Sequence, residues 1–279
     1  MHARENAVAV LLSQEIAPYV ATVNGIDTEL VNVQVERFFL DRHGLPFNLV
    51  SQTPSLDSGY YSALVAIGPQ ALQYLHSLDT NTPVLFGMVL NPSHIIPDPL
   101  ELRCGVSLNL PIEAQFKSLV LHFPWMKRLG VLFDPKNNQL WFDQAAQIAT
   151  AMGIELVPLQ VEPDNGRLRI VGDLSRPDVL LFIPDKSVIS TVMIQHVIKR
   201  AVLHQIPVVG YNQFFIDSGA ALSFVIDYND IGHQVGVQVK TLLTTGNCDG
   251  FHDPNYEIRI NTDVWRLLKL EQRGGAHEL

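Results

Sequence analysis

Polar residues, glycine and proline follow several short apolar runs in this chain. These are the residues whose types and positions could bind a ligand or catalyse a reaction. One run, "ALVAI", stops at Gly68-Pro69, and a plausible helix begins there. Glycine accepts unusual dihedrals, and proline suits the first position of a helix. We therefore predict that the N–H groups of Gln70, Ala71 and Leu72 hold an anion such as a carboxylate. A plain strand-to-helix turn capped by water is the open alternative.

Two acidic residues follow other apolar runs. Asp227 directly ends the run "ALSFVI", so we predict that it holds a cationic group of a ligand. Asp185 is open to two interpretations, the N-cap of a following helix or a ligand contact. The full set of expected ligand-binding residues is Ser13, Gln14, Gly68, Pro69, Gln70, Met88, Asn91, Phe133, Asp185, Ser187, Tyr211, Asn212 and Asp227.

Five aromatic residues lie near these run ends. They are Tyr19, Phe86, Phe133, Tyr211 and Tyr228. Together they could form an aromatic wall around a ligand, and each one alone could instead pack in the core.

Sequence signatures of catalysis are absent. The chain has no Walker A motif, no GxGxxG, no HExxH and no GxSxG. The ten histidines are dispersed, and Cys104 and Cys248 have no CxxC partner, so we expect no metal and no cofactor. The two cysteines are either free or joined in one disulfide. We predict a binding protein. The alternative is an α/β enzyme that modifies sugars or nucleotides, and the absence of a recognisable set of catalytic residues argues against it.

Charge and hydropathy exclude other classes of protein. The net charge is −9, and basic residues cluster no further than the pairs Lys127-Arg128 and Lys199-Arg200, so we expect no nucleic-acid partner. No apolar run reaches the length of a membrane span. No apolar leader segment precedes the first run, which fits a chain whose signal peptide has been removed and fits a cytoplasmic protein equally well.

A repeated pattern of apolar run, break and helical stretch sets the fold class. The runs are Ala7–Ser13, Ala63–Pro69, Pro83–Met88, Arg128–Pro135, Asp178–Asp185, Ile206–Tyr211 and Ala221–Asp227. Runs without polar alternation are typical of parallel strands covered by helices on both faces. Amphipathic stretches between them are Pro111–His122, Leu140–Met152 and Ser187–His204. The alternation predicts an α/β fold.

Other segments refine this organisation. The alternating segment Leu30–Asp41 predicts a strand near a sheet edge, and Leu45–Gly59 predicts a short helix followed by turns. The tail Tyr256–Leu270 predicts one more strand and a last helix. A seam at Cys104–Gln115 separates two series of strand-helix units, which indicates two α/β lobes.

The chain resembles the substrate-binding proteins of ABC importers with a type I periplasmic-binding fold, specifically the tryptophan/tyrosine-type family. The resemblance rests on "VAVLLSQEIAPYVATVNGI", "ALVAIGPQAL", "PVLFGMVLNP", "CGVSLNLPIEAQ", "RLGVLFDPKNN", "DVLLFIPDKSVIS", "IPVVGYNQFFIDSGAALSFVIDYNDIGHQVG" and "YEIRIN". Its most specific part runs from Gly219-Ala220 through Asp227-Tyr228 to Gly232 and Gly236. The chain departs from the family at Pro69, where a small hydroxyl residue is usual, and at "PDKS", where a Gly-Asp-Asn-like turn is usual.

The resemblance implies two Rossmann-like lobes joined by three crossings, with a ligand cleft that closes by hinge motion. The first lobe would take residues 1–108 and 226–252, and the second lobe residues 109–225 and 253–279. Gln70, Ser13 and Asn91 would hold the carboxylate of a small ligand such as an amino acid, and Asp185, Ser187 and Asn212 would close from the second lobe.

The resemblance also implies partners and a compartment. ABC permease and ATPase subunits would be the partners, in the periplasm or cell envelope. The alternative is a ligand-sensing domain of the same fold that feeds a signalling receptor or regulator. A cytoplasmic regulator of the lactose-repressor type would need a helix-turn-helix ahead of the first run.

Overall fold

The chain divides into two compact units in a computed structural model that describes residues 7–49, 53–98, 104–164, 167–185, 187, 190–248 and 250–274. The first unit comprises residues 1–110 and 226–255, and the second comprises residues 111–225 and 256–279. The chain therefore passes from one unit to the other three times. The expectation about a leader concerns the chain before the first strand, and residues 1–6 lie outside the described residues.

The first unit is built on a mixed seven-stranded sheet. Its strands are β1 (Ala7–Leu12), β2 (Gln34–Leu40), β3 (Pro46–Phe47), β4 (Ala63–Ile67), β5 (Val84–Val89), β6 (Gly105–Ser107) and β13 (Phe251–His252), in the spatial order β13-β6-β5-β4-β1-β2-β3. All neighbours pair in parallel except β2 with β3. The helices are α1 (Ala17–Glu29), α2 (Pro69–His76) and α7 (Tyr228–Thr245), with a 3-10 turn at Pro92–His94.

Helices α1 and α7 pack against each other through glycines. A Cβ on Gly25 would lie 2.1 Å from the carbonyl oxygen of Asn229, and a Cβ on Gly232 would lie 2.0 Å from the carbonyl oxygen of Thr22. Any side chain at these positions would push the helices apart. The close approach accounts for Gly232, which belongs to the most specific part of the family resemblance.

The second unit repeats the plan with its own mixed seven-stranded sheet. Its strands are β7 (Arg128–Phe133), β8 (Glu155–Asp164), β9 (Arg167–Val171), β10 (Val179–Phe182), β11 (Val208–Gly210), β12 (Leu222–Val225) and β14 (Glu257–Ile260), in the order β14-β12-β11-β10-β7-β8-β9. The edge strands β9 and β14 are antiparallel to their neighbours. The helices are α3 (Ile112–His122), α4 (Pro135–Ala151), α5 (Thr191–Leu203), α6 (Gln213–Asp217) and α8 (Thr262–Leu267), with a 3-10 turn at Glu271–Arg273.

The predicted α/β fold class is confirmed, and the central strands are buried as the apolar runs require. Every residue of β1 and of β4 is buried. Strand β2 lies next to the edge, in agreement with its alternation. The short helix expected in Leu45–Gly59 is wrong for the described part of that segment, where Pro46 and Phe47 form a strand against β2; residues 50–52 lie outside the described residues. Pairing with β2 outweighs the weak local helix signal.

A disulfide joins Cys104 to Cys248, and their Cα atoms lie 6.0 Å apart. The bond ties the start of β6 to the segment after α7, so it links the two separate chain segments of the first unit. The sequence left this pairing open. Within the described residues, no helix combines the length and the apolar character that crossing a membrane requires.

Candidate ligand-binding site

The carboxyl ends of β1 and β4 meet at Gly68, where the main chain turns into α2. Gly68 has φ 90°, a conformation that favours glycine. The backbone N–H of Ser13 donates to the carbonyl of Ile67 at 2.9 Å, and the backbone N–H of Ala71 donates to Ser13 Oγ at 2.8 Å. Ser13 therefore caps α2 from a neighbouring strand, and Gly68, Pro69 and Gln70 lie beside it.

The prediction of three free N–H groups at the start of α2 needs a correction. The N–H of Ala71 is taken by Ser13 Oγ, and the N–H of Leu72 donates to the carbonyl of Gly68 at 3.2 Å, which is the first bond within the helix. Only the N–H of Gln70 is without an acceptor among the described residues. Because Ser13 uses its oxygen as an acceptor, the hydroxyl proton of Ser13 is left to donate.

Asn91 and Met88 lie at the carboxyl end of β5 in left-handed conformations, with φ of 50° and 61°. Left-handed non-glycine residues are uncommon and concentrate at functional sites. The side chain of Met88 is buried in the apolar core, so only its backbone is at this edge. Asn109 Oδ1 accepts from the backbone N–H of Asn91 at 2.7 Å, and Asn109 Nδ2 donates to Asn91 Oδ1 at 2.5 Å.

Asp227 is exposed and caps α7. Its Oδ1 accepts from the backbone N–H of Asn229 at 2.8 Å. Its other carboxylate oxygen accepts no hydrogen bond from the described residues. Gln14, directly after Ser13, is exposed as well. In the first unit, Ser13 and Gln70 thus keep a donor available, and Asp227 keeps one carboxylate oxygen available.

Asp185 in the second unit has a different environment. It is 4% exposed, and its carboxylate accepts four hydrogen bonds. The donors are the backbone N–H of Asp134 (2.8 Å), Asn138 Nδ2 (2.7 Å), Asn137 Nδ2 (3.1 Å) and the backbone N–H of Ser187 (2.9 Å). Neither alternative for Asp185 holds in this structure: α5 begins after Ser190, and no oxygen of Asp185 is left for a ligand cation.

A second buried carboxylate completes this network. Asp134 Oδ1 accepts from the backbone N–H of Lys136 at 2.9 Å, and Asp134 Oδ2 accepts from Ser187 Oγ at 2.6 Å. Asn137 Nδ2 also lies 3.1 Å from Ser187 Oγ. The network joins the end of β7, the start of α4 and the segment after β10, and it holds Ser187 and the exposed Asn137 in place.

The remaining predicted residues of the second unit separate into core and strand-end positions. Phe133 is fully buried and stacks on Phe142 with ring centroids 4.5 Å apart, so it leaves no surface for a ligand and we remove it from the candidate site. Tyr211 is partly buried and packs on Phe215. Asn212 precedes α6, and its Oδ1 is buried and accepts no hydrogen bond from the described residues.

The expected aromatic wall loses two of its five residues to the core. Phe86 and Phe133 belong to the core. Tyr19 and Tyr228 are half-buried in the first turns of α1 and α7, where burial raises the pKa of each phenol. Tyr211 in the second unit is also partly buried, and it lies just before the N-cap of α6.

Sequence reasoning missed Asn109, Asn137, Asn138 and Asp134. Asp134-Pro135 does terminate an apolar run, so Asp134 could have been found from that signal. The asparagines occupy helix starts or loops, where this residue type is common for local reasons. Among the described residues, no three His, Cys, Asp or Glu side chains gather as a metal site would require.

Comparison with known proteins places this fold among binding proteins. Residues 7–250 match the family described as ABC transporter substrate binding protein. The chain is 22% identical over 240 residues to the tyrosine-binding protein of Clostridioides difficile strain R20291, a match that covers 81% of this chain and 69% of that protein.

Two solved structures share the fold. A ligand-free, open substrate-binding protein with adhesive properties from Clostridium difficile is 16% identical, with a TM-score of 0.74 and 95% of each chain covered. An ABC domain in complex with L-Trp from Streptococcus pneumonia is also 16% identical, with a TM-score of 0.61 and 95% of each chain covered. Because the family match spans most of the chain, this protein belongs to the ABC transporter substrate-binding proteins, a family of binding proteins and not of enzymes.

Proposed function

We propose that this chain is the extracytoplasmic solute-binding component of an ABC importer and that it binds an amino acid with an aromatic side chain. The family match over residues 7–250 supports the transport role. A relative is named for binding tyrosine, and a protein of similar fold forms a complex with L-Trp, so these two amino acids are the first candidates.

The start of α2 carries the proposal for the ligand's carboxylate. Gln70 offers a backbone N–H without an acceptor among the described residues, and Ser13 keeps a hydroxyl proton to donate. A helix N-terminus stabilises negative charge. Gly68 and Pro69 form the floor of this subsite, with Gln14 and Asn91 at neighbouring strand ends.

The ligand's ammonium group would be held by Asp227, which has one carboxylate oxygen outside its capping bond. From the second unit, Ser187, Tyr211 and Asn212 would contact the ligand, together with Asn137. A ligand that contacts both units favours closure by hinge motion, because only differential affinity shifts such an equilibrium.

The disulfide supports a location outside the cytoplasm. Stable disulfides form in oxidising compartments and are rare in the cytosol. The bond between Cys104 and Cys248 therefore favours a periplasmic or cell-envelope protein over a cytoplasmic regulator of the same fold. ABC permease and ATPase subunits would be its partners there.

A thermal-shift screen against the twenty amino acids tests the proposal. A ligand at 100 times its Kd adds about 2.7 kcal/mol to the free energy of unfolding. We expect L-tyrosine or L-tryptophan to give the largest increase in Tm. A panel without any shift would contradict the proposal, and a shift with aliphatic amino acids alone would contradict its aromatic part.

A further inference from the structure

We propose that Tyr19 supplies a hydroxyl donor to the ligand's carboxylate, in place of the side-chain hydroxyl that the chain lacks at Pro69. The inference rests on the proposed function and adds a residue to the same subsite. Tyr19 was expected only as part of an aromatic wall, where its ring and not its hydroxyl would matter.

The geometry at Gly68 carries the inference. A Cβ on Gly68 would lie 2.6 Å from Tyr19 Oη and 2.7 Å from Ser13 Oγ. The tyrosine hydroxyl therefore lies over Gly68, the residue directly before α2, and beside the serine whose oxygen accepts from the first turn of this helix. Only a residue without a side chain leaves room for it there.

The hydroxyl of Tyr19 is also unused. It makes no hydrogen bond with any residue in the described part of the chain, while the ring packs against the apolar core of the first unit. Burial raises the pKa of the phenol, so it keeps its proton across the physiological range and remains a donor. A fixed ring with an unused donor is suited to accept an anion at little cost in conformational entropy.

The position of Tyr19 explains how the chain functions with a proline after Gly68. Pro69 can donate neither from its backbone nor from its side chain. Tyr19 belongs to a different helix, in the first turn of α1, yet its hydroxyl lies close to Gly68. The subsite would then present the Gln70 N–H and the hydroxyls of Ser13 and Tyr19.

A double-mutant cycle on the full chain tests this role by calorimetric titration with L-tyrosine and L-tryptophan. We expect Tyr19→Phe to weaken binding of the better ligand about tenfold, because a hydrogen bond to a charged group is lost. Adding Pro69→Ser to Tyr19→Phe should recover most of the affinity, while Pro69→Ser alone should change it less.

The matched control is Tyr74→Phe, which removes a half-buried hydroxyl from α2 that also has no hydrogen-bond partner among the described residues. It should leave Kd unchanged. If the Tyr19→Phe variant binds within twofold of the wild type, the role of Tyr19 is contradicted, and the proposed function is unaffected. If Pro69→Ser does not recover affinity in the Tyr19→Phe background, the Tyr19 hydroxyl does not take the place of a hydroxyl at position 69. Absence of binding to the wild-type protein would overturn the proposed function and this inference with it.

Discussion

The end of β4 in the first unit leaves hydrogen-bonding groups unused, whereas the ends of β7 and β10 in the second unit consume theirs in a buried network. At the start of α2, the N–H of Gln70 and the hydroxyl of Tyr19 have no partners among the described residues. At the start of α4, the carboxylates of Asp134 and Asp185 accept six hydrogen bonds from their neighbours.

The difference shows that a polar residue after a buried strand has two possible roles. Asp185 serves to hold a loop and a helix start together, so it would act on a ligand only through Ser187 and Asn137. Asp227 has a single capping bond and an exposed carboxylate, so it could contact a ligand directly. The following variants test this contrast, beginning with the largest expected effect.

Asp185→Ala should lower the free energy of unfolding by about 4 kcal/mol, because four donors lose a buried acceptor at once. Urea denaturation followed by tryptophan fluorescence measures this effect, since Trp125, Trp141 and Trp265 all lie in the second unit. The control Asp185→Asn keeps one acceptor oxygen and should lose less. A loss under about 1 kcal/mol for Asp185→Ala would contradict the network's structural role.

Removal of the disulfide by the double substitution Cys104→Ser and Cys248→Ser should cost about 3 kcal/mol, because the cross-link restricts the unfolded chain. Differential scanning calorimetry of the oxidised wild type, the reduced wild type and the variant measures it. The reduced wild type and the variant should agree. A variant as stable as the oxidised protein would show that the bond contributes nothing to the first unit.

Ser13→Ala should lower the free energy of unfolding by about 2 kcal/mol, since the buried N–H of Ala71 loses its acceptor. It should also weaken ligand binding by removing a donor. The matched control is Ser77→Ala at the other end of α2, where the hydroxyl is exposed and donates to the carbonyl of Tyr74. Equal stability changes in the two serine variants, measured by urea denaturation, would be inconsistent with the capping role of Ser13.

Asp227→Ala should cost about 1 kcal/mol through loss of the helix cap. Asp227→Ser restores a capping oxygen, so the free energy of unfolding should stay within a few tenths of a kcal/mol of the wild type. Affinity for L-tryptophan should nevertheless fall in both variants. If Asp227→Ser bound as tightly as the wild type, Asp227 would be a cap and no ligand contact.

Much of the fold follows from the sequence, because buried parallel strands require continuous apolar runs and such runs are visible. The runs at Ala7 and Ala63 are strands in the structure, and the tail forms the predicted strand and helix. The strand at Pro46–Phe47 could not be predicted, because it has only two residues and depends on a neighbour. Local patterns do not record such pairings.

The sequence predicts which strand ends carry polar groups. It does not predict which of those groups are consumed in internal hydrogen bonds and which remain available to a ligand. The bond between Ser13 and Ala71 joins residues far apart in sequence, and so does the approach of Tyr19 to Gly68. Phe133 is an aromatic residue near the end of an apolar run, which made it a candidate for the cleft, yet it stacks on Phe142 in the core. Only tertiary packing separates these outcomes.

The most direct test of the central claim is calorimetric titration of the wild-type chain with L-tyrosine, L-tryptophan, tyramine and tryptamine. The two amines keep the aromatic ring and the ammonium group and lack only the carboxylate. If the first unit's donors hold a carboxylate, at least one amino acid binds and its amine binds at least about 100-fold more weakly, the loss of a charge-assisted contact. Equal affinities for an amino acid and its amine would contradict the account.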